Sequence, residues 1–156
     1  MGVEVANTAD QAPVPPQTAE ENVDDLLEAA RYGDIDDLVS LASNGVPLDS
    51  KDSQERTALH MAAANGHIEI VEYLISKGVD VNALNLEKNT PLHWASLNGH
   101  IEVVKKLILA GANTGALNSY ERTPMDEAVS RGKLEVMDAM NEAVAQVEIA
   151  NARVSV

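Results

Sequence analysis

Four histidines are the residues of this 156-residue chain whose type and spacing could do chemistry. His60 and His67 are seven residues apart, and so are His93 and His100. A zinc site would need a third ligand at a fixed spacing, and the sequence offers none. The second pair repeats the first pair 33 residues later. We therefore interpret all four histidines as structural residues at helix starts and predict no metal site.

Carboxylates are the other candidates, since the chain has 25 acidic residues. Nothing in the pattern predicts that two of them are buried against each other, so solvated faces are the favoured interpretation. No glycine-rich phosphate loop or Gly-x-Ser-x-Gly sequence occurs, and the chain has no cysteine. We predict no catalytic residue, no cofactor and no enzymatic activity.

The second histidine pair lies in a stretch with clear helix signals. Thr90 can cap a helix through its hydroxyl, and Pro91 suits the first helical position because its missing N–H would be unpaired there anyway. Gly99 is typical of a helix end. Apolar residues at helical spacing then predict a second helix from Ile101 to Leu109.

This helix pair recurs with a period of 33 residues. The recurring residues are Thr57, Thr90 and Thr123; Gly33, Gly66, Gly99 and Gly132; and Gly45, Gly78 and Gly111. Segments 57–85 and 90–118 are identical at 16 of 29 positions. With this period and Thr-Pro-Leu-His-x-Ala at 90–95, the chain resembles the ankyrin-repeat family over about residues 21–145. The resemblance implies an all-α ankyrin-repeat solenoid of four helix-turn-helix repeats with short turn fingers, and a role in binding other proteins.

The same period predicts the organisation of the chain. We expect a disordered head at 1–20, repeats at about 21–52, 53–85, 86–118 and 119–150, and a frayed tail at 151–156. Asp24, which lies 33 residues before Thr57, is the expected cap of the first repeat. No glycine follows at position 144, so the last helix is expected to run from Leu134 to about Ala150.

Charge is concentrated at the start of the chain. The net charge is −14, and residues 1–52 hold 12 acidic and 2 basic residues. This field disfavours nucleic acid and anionic membranes and favours a basic protein partner. Asp34, Asp36 and Asp37 begin the second helix of the first repeat, where two interpretations stay open. They form either a soluble capping face that complements the helix dipole or an acidic docking patch.

No signal peptide or membrane-spanning run is recognisable. We expect a monomer when free, located in the cytoplasm, with the nucleus as a second location.

The expected repeat geometry predicts further binding residues, because the fingers and the exposed ends of the first helices line a concave surface in a stacked solenoid. Beside the three aspartates, the predicted protein-binding residues are Tyr32, Arg56, Met61, Asn65, Trp94, Leu97, Asn98, Tyr120, Arg122 and Arg131. Large aromatic residues are favoured interface anchors. Met61 and Trp94, however, share a position that often packs between repeats, so core and contact roles both stay open.

Two runs carry a narrower resemblance. Residues 57–67 and 92–99 are similar to those of a small ankyrin-repeat chaperone of yeast that escorts a basic small-subunit ribosomal protein. This resemblance implies a client groove formed by Met61, Asn65, Trp94, Leu97 and Asn98, with the acidic first repeat holding a basic segment. The alternative is an adaptor or structural subunit that binds its partner through an apolar groove around Trp94 and Leu97.

Overall fold

The helix pairs that the 33-residue period predicts are present in the computed structural model, which describes residues 16–154. Within these residues there are eight α-helices and no strand. They are α1 (Ala19–Tyr32), α2 (Ile35–Ser43), α3 (Ala58–Ala64), α4 (Ile68–Ser76), α5 (Pro91–Leu97), α6 (Ile101–Leu109), α7 (Pro124–Ser130) and α8 (Leu134–Val154). The predicted all-α solenoid of four helix-turn-helix repeats is thereby confirmed.

The helices stack in two layers. In one layer α1 packs on α3, α3 on α5 and α5 on α7, and in the other α4 packs on α6 and α6 on α8. Within each repeat the two helices also pack on each other. The core between the layers is aliphatic, as in Leu59, Leu92 and Leu107, each at most 2% exposed. In residues 16–154, no helix has both the length and the apolar character that crossing a membrane requires.

Threonines begin the short helices α3, α5 and α7, as the sequence predicts. Thr57, Thr90 and Thr123 each accept a hydrogen bond from the backbone N–H three residues later, and the side chain of that later residue bonds back to the cap. This reciprocal arrangement satisfies two backbone donors that a helix start leaves unpaired. A seven-residue helix therefore begins at a defined residue.

The first helix begins earlier than the repeat alignment predicts. Thr18 caps α1 by accepting from the Glu21 N–H at 3.1 Å, and the Glu21 carboxylate accepts from the Thr18 N–H at 2.9 Å. Asp24 lies inside α1, so the expectation that it caps this helix is wrong. The expected head border at residue 20 is also wrong, since residues 19 and 20 are helical. The rest of the expected head, 1–15, lies outside the described residues.

The last helix runs further than predicted. It ends at Val154, so residues 151–154 continue α8 rather than forming the expected frayed tail. No glycine or proline follows Leu134 in this segment, and Val144 and Val147 pack against the core. Residues 155–156 lie outside the described part of the chain.

The turns between repeats form fingers that share one geometry. The side-chain oxygens of Asp52, Asn85 and Asn118 each accept two backbone N–H groups, from the residues two and four positions later. Adjacent fingers are joined by backbone bonds from Leu86 N to Gln54 O at 3.1 Å and from Ser119 N to Glu87 O at 2.8 Å. These bonds hold neighbouring fingers in register.

Candidate protein-interaction site

The buried histidines connect each first helix to the following finger. The Thr57 N–H donates to His60 Nδ1 at 3.2 Å, so the ring proton is on Nε2, which donates to Asn89 O at 2.8 Å. His93 bonds Thr90 and Arg122 O in the same way. Burial lowers the pKa of His60 to about 4 and also lowers the pKa of His93, so both rings are neutral near pH 7. The predicted structural role of these two histidines is confirmed.

The other two histidines connect successive repeats at the opposite end of the first helices. His67 Nε2 bonds Arg31 O at 2.8 Å, and His100 Nε2 bonds Ala64 O at 3.0 Å. Gly66 makes room for this contact, since a Cβ there would lie 2.5 Å from His100 Nδ1. Its φ of 74° is also one that side chains rarely adopt. Within residues 16–154, no group of three or more His, Asp or Glu side chains could hold a metal ion.

Residues of the third and fourth repeats form a small pocket on the surface that carries the fingers, with a volume of about 180 Å³. Its lining residues are Glu87, Asn89, His93, Trp94, Leu97, Asn118, Tyr120 and Glu127. We call this the Trp94 pocket. It brings together Trp94, Leu97 and Tyr120 from the predicted set. It also contains two carboxylates that the prediction missed.

Trp94 packs against the core and is also accessible from the pocket, and its contact with a partner stays a prediction. Its ring packs edge-on against His60, with centroids 5.3 Å apart and an interplanar angle of 70°. Met61, at the equivalent position of the second repeat, is only 4% exposed and belongs to the core. Met61 therefore offers a partner almost no surface, which corrects its inclusion among the contact residues.

Glu127 occupies the same repeat position as Met61 and Trp94, but it is acidic. Its side chain is 12% exposed and lies 3.9 Å from Arg122, measured between Oε1 and a guanidinium nitrogen. Asn118 also donates to this oxygen at 3.2 Å. A carboxylate at a position that is apolar in the preceding repeats is the sequence signal that could have identified it.

A second groove, with a volume of about 480 Å³, lies entirely within the first repeat. Its lining residues, all from α1, α2 and the turn between them, are Asp25, Glu28, Ala29, Tyr32, Asp34, Asp37, Ser40 and Leu41. We call this the acidic groove. Tyr32 is 69% exposed there. Because the second repeat contributes no lining residue, this groove belongs to the end of the stack and is separate from the Trp94 pocket.

Like charges are crowded in the acidic groove. The charge of Asp34 raises the pKa of Asp37, and partial desolvation, a hydrogen bond to Asp34 and the charges of Asp25 and Asp36 act in the same direction. Asp34 also caps α2, because its side chain accepts from the Asp37 N–H at 3.1 Å. Dipole compensation and an acidic surface therefore coexist in the same residues.

Comparison with known proteins identifies the family. The sequence profile described as ankyrin repeats (3 copies) matches residues 26–118, more than half of the chain. The chain belongs to the ankyrin-repeat family. Ankyrin repeats generally mediate protein–protein interactions and are typically non-enzymatic binding modules, so protein partners are implied. No curated protein matches the chain, and the narrower resemblance to the yeast chaperone is therefore supported by no homologue.

The remaining predicted contact residues of this ankyrin-repeat protein line neither the acidic groove nor the Trp94 pocket. Asn65 donates to Met61 O at 2.8 Å, and Asn98 donates to Ala64 O at 2.8 Å, so both amides bond helix ends. Arg56 pairs with Asp52 at 2.7 Å and is partly buried. The other residues that line neither surface are Asp36, Arg122 and Arg131, all of them exposed. Their part in binding stays a prediction.

Proposed function

We propose that this ankyrin-repeat protein binds a basic protein and serves as its chaperone or adaptor. The observation that carries the proposal is the acidic groove, where carboxylates crowd around an exposed tyrosine. Family membership supports a protein partner, and the charge of the groove supports a basic one. The proposed role is binding without catalysis.

Electrostatics explains why a basic segment would bind at the first repeat. Residues 1–52 carry 12 of the 25 acidic residues and 2 of the 11 basic ones. A cationic side chain placed near Asp37 would relieve the mutual repulsion that raises the pKa of this carboxyl group. Tyr32 adds an exposed aromatic surface beside these charges, and aromatic residues are frequent binding anchors.

The chaperone role rests on the resemblance of residues 57–67 and 92–99 to an escort of a ribosomal protein. A chaperone of this kind would hold a basic segment and shield it from premature contact with RNA. The predicted cytoplasmic location, with the nucleus as a second one, and the monomeric free state belong to the same proposal.

Charge reversal in the acidic groove tests the proposal. We would replace Asp25, Glu28 and Asp37 with lysine, which spares the capping residue Asp34. The matched control replaces three exposed acidic residues of α8 with lysine and so changes the net charge equally. These residues are Glu135, Asp138 and Glu148. Each protein is used to capture partners from cell lysate at low and moderate salt, and bound proteins are identified by mass spectrometry.

We expect basic proteins that are lost at moderate salt and with the groove variant but are kept by the control. Exposed charges are screened by salt, so such binding must weaken as salt is added. A neutral or acidic partner that survives both the salt wash and the groove reversal would refute the proposed function.

The second candidate function is an adaptor or structural subunit of a stable complex. The observation that favours it is the convergence of Trp94, Leu97 and Tyr120 on one pocket. This function predicts a partner retained at moderate salt and lost on Leu97→Arg, because a charge would be placed in an apolar contact. Groove reversal would then leave binding unchanged.

A further inference from the structure

We propose that the Trp94 pocket binds one arginine side chain of the protein partner. The proposal rests on the proposed function and deepens it, because it names the residue by which the fingers would recognise a basic segment. The pocket is separate from the acidic groove, so the two surfaces can be tested independently.

The aromatic part of the pocket suits a guanidinium group. Trp94 and Tyr120 both line it, and Tyr120 is 66% exposed. A guanidinium is planar, weakly hydrated and attracted to aromatic faces, where it gains from both stacking and the ring quadrupole. With a volume of about 180 Å³, the pocket has the scale of a side chain rather than of a folded element.

The acidic part of the pocket supplies the counter-charge. Glu87 and Glu127 are both lining residues, and the Glu127 side chain is largely buried at 12% exposure. The Asn118 amide donates to Glu127 at 3.2 Å and to Asn89 at 2.9 Å, so the carboxylate is held in place. A carboxylate that is held near aromatic rings and away from bulk water attracts a cation more strongly than an exposed one.

The chain itself already places a guanidinium near this carboxylate. Arg122 lies 3.9 Å from Glu127, which is the outer limit of an ion pair, and its side chain is 53% exposed. Such a loose pair contributes little and can be exchanged for a better one. A partner arginine entering between Trp94 and Tyr120 would replace Arg122 as the cation on Glu127. A flexible lysine ammonium cannot match the planar stacking or the forked hydrogen bonding.

Two peptides of equal charge, octa-arginine and octa-lysine, test the proposal on the full chain. Affinities are measured by calorimetry at low salt, and the fluorescence of Trp94, the one tryptophan of the chain, reports on the pocket. We expect octa-arginine to bind about tenfold more tightly than octa-lysine and to change the Trp94 emission. Glu127→Gln should remove most of this preference. Glu135→Gln, an equal charge change at an exposed site in α8, should preserve it.

A second variant, expected to increase the preference for octa-arginine, keeps the proposal testable if Glu127→Gln fails to fold. Arg122→Gln removes the competing guanidinium at an exposed side chain, so the preference for octa-arginine should rise about threefold. An unchanged or reduced preference in this variant would contradict the proposal.

The outcomes separate this inference from the proposed function. Equal affinities for the two peptides with unchanged Trp94 emission would overturn the arginine pocket and leave a basic partner in place. Failure of both peptides to bind at low salt would contradict the basic partner as well. Charge reversal at Asp25, Glu28 and Asp37 should weaken both peptides alike and keep their ratio.

Discussion

At the residue scale, the buried polar groups account for the precise stacking of neighbouring repeats. His60 and His93 are 0% exposed, yet both ring nitrogens of each are hydrogen-bonded within the protein. Satisfied buried polar groups cost little, whereas a misplaced repeat would leave them unpaired. The Nε2 bonds span 29 residues, so each of them joins a first helix to the next finger.

Stability should fall as the pH is lowered from about 6.5 to about 4. The pKa of His60 is about 4 in the folded protein against 6.5 ordinarily, so in this window the unfolded chain takes up a proton that the folded protein does not. The His60 shift corresponds to a loss of about 3 kcal/mol. Urea denaturation at a series of pH values measures this loss, which should shrink in His60→Gln.

Carboxylates modify this pH dependence in known directions. Repulsion from Asp34 raises the pKa of Asp37, so relief of that repulsion opposes the histidine effect as the pH falls. Burial raises the pKa of Asp52, but hydrogen bonds from Arg56 outweigh it and lower this pKa below 3.8. The stability that Asp52 contributes is therefore lost only below the pH range in which His60 acts. A stability that stayed level between pH 6.5 and 4 would contradict the prediction for His60.

Ser96→Ala should stabilise the fold by about 1 kcal/mol. The Ser96 hydroxyl is fully buried and has no hydrogen-bond partner in the described part of the chain, which costs free energy that alanine avoids. Alanine fits this position, since the equivalent residue of the second repeat is Ala63. Thermal and urea denaturation measure the change. Ser76→Ala is the control, because that serine is exposed and should change stability little.

At the element scale, the helices depend on their caps. Helices α3, α5 and α7 have seven residues each, which is too short to be stable alone in water. Capping boxes and stacking supply what intrinsic helix propensity cannot. The fingers depend on side-chain caps in the same way, through one Asp or Asn in each turn.

Thr18→Ala should destabilise the first repeat by about 1 kcal/mol, because it removes the side-chain half of a capping box. Amide hydrogen exchange of the first turn of α1 and urea denaturation measure the loss. Asp24→Ala, inside the helix, should change stability by only about 0.5 kcal/mol or less. If Asp24→Ala were the more damaging variant, the observed start of α1 would be wrong.

Lys88→Gly should stabilise the central finger by about 0.5 to 1 kcal/mol. Lys88 has a φ of 61°, and Glu55 and Glu121 at the equivalent positions have 60° and 59°. Relief of left-handed strain outweighs the greater freedom that glycine has in the unfolded chain. Denaturation midpoints report the gain. The neighbouring Glu87→Gly relieves no such strain and should instead be destabilising.

At the scale of the whole molecule, acidic residues are unevenly distributed along the stack of repeats. The net charge is −14, and the acidic groove lies in the end repeat rather than in the centre. Each repeat contacts mainly its neighbours, so local stability can differ along the stack. Within residues 16–154, the first repeat packs on one other repeat, as the fourth does, and it carries the denser charge of the two.

Added salt should therefore stabilise the first repeat more than the third. Screening reduces repulsion among the carboxylates of α1 and α2, whereas residues 53–118 hold nearly equal numbers of acidic and basic residues. Amide hydrogen exchange at low and moderate salt measures the effect helix by helix. Equal slowing of exchange in α1 and α5 would show that the charge crowding has no local consequence.

The sequence by itself determined the repeat architecture and the helix starts at Thr57, Thr90 and Thr123. Caps and helix-ending glycines act over three or four residues, and a period of 33 makes each signal recur, so local chemistry was enough. The cap at Thr18 was equally local. It was missed because alignment to the period placed the start at Asp24.

Only the tertiary structure decided which side chains share a surface. Met61 and Trp94 occupy equivalent repeat positions, yet Met61 is buried in the core whereas Trp94 packs against the core and also lines a pocket. Glu87, Tyr120 and Glu127 meet there although 40 positions separate the first from the last. Convergence of that kind depends on the side-chain directions and register of stacked repeats, which no local pattern encodes.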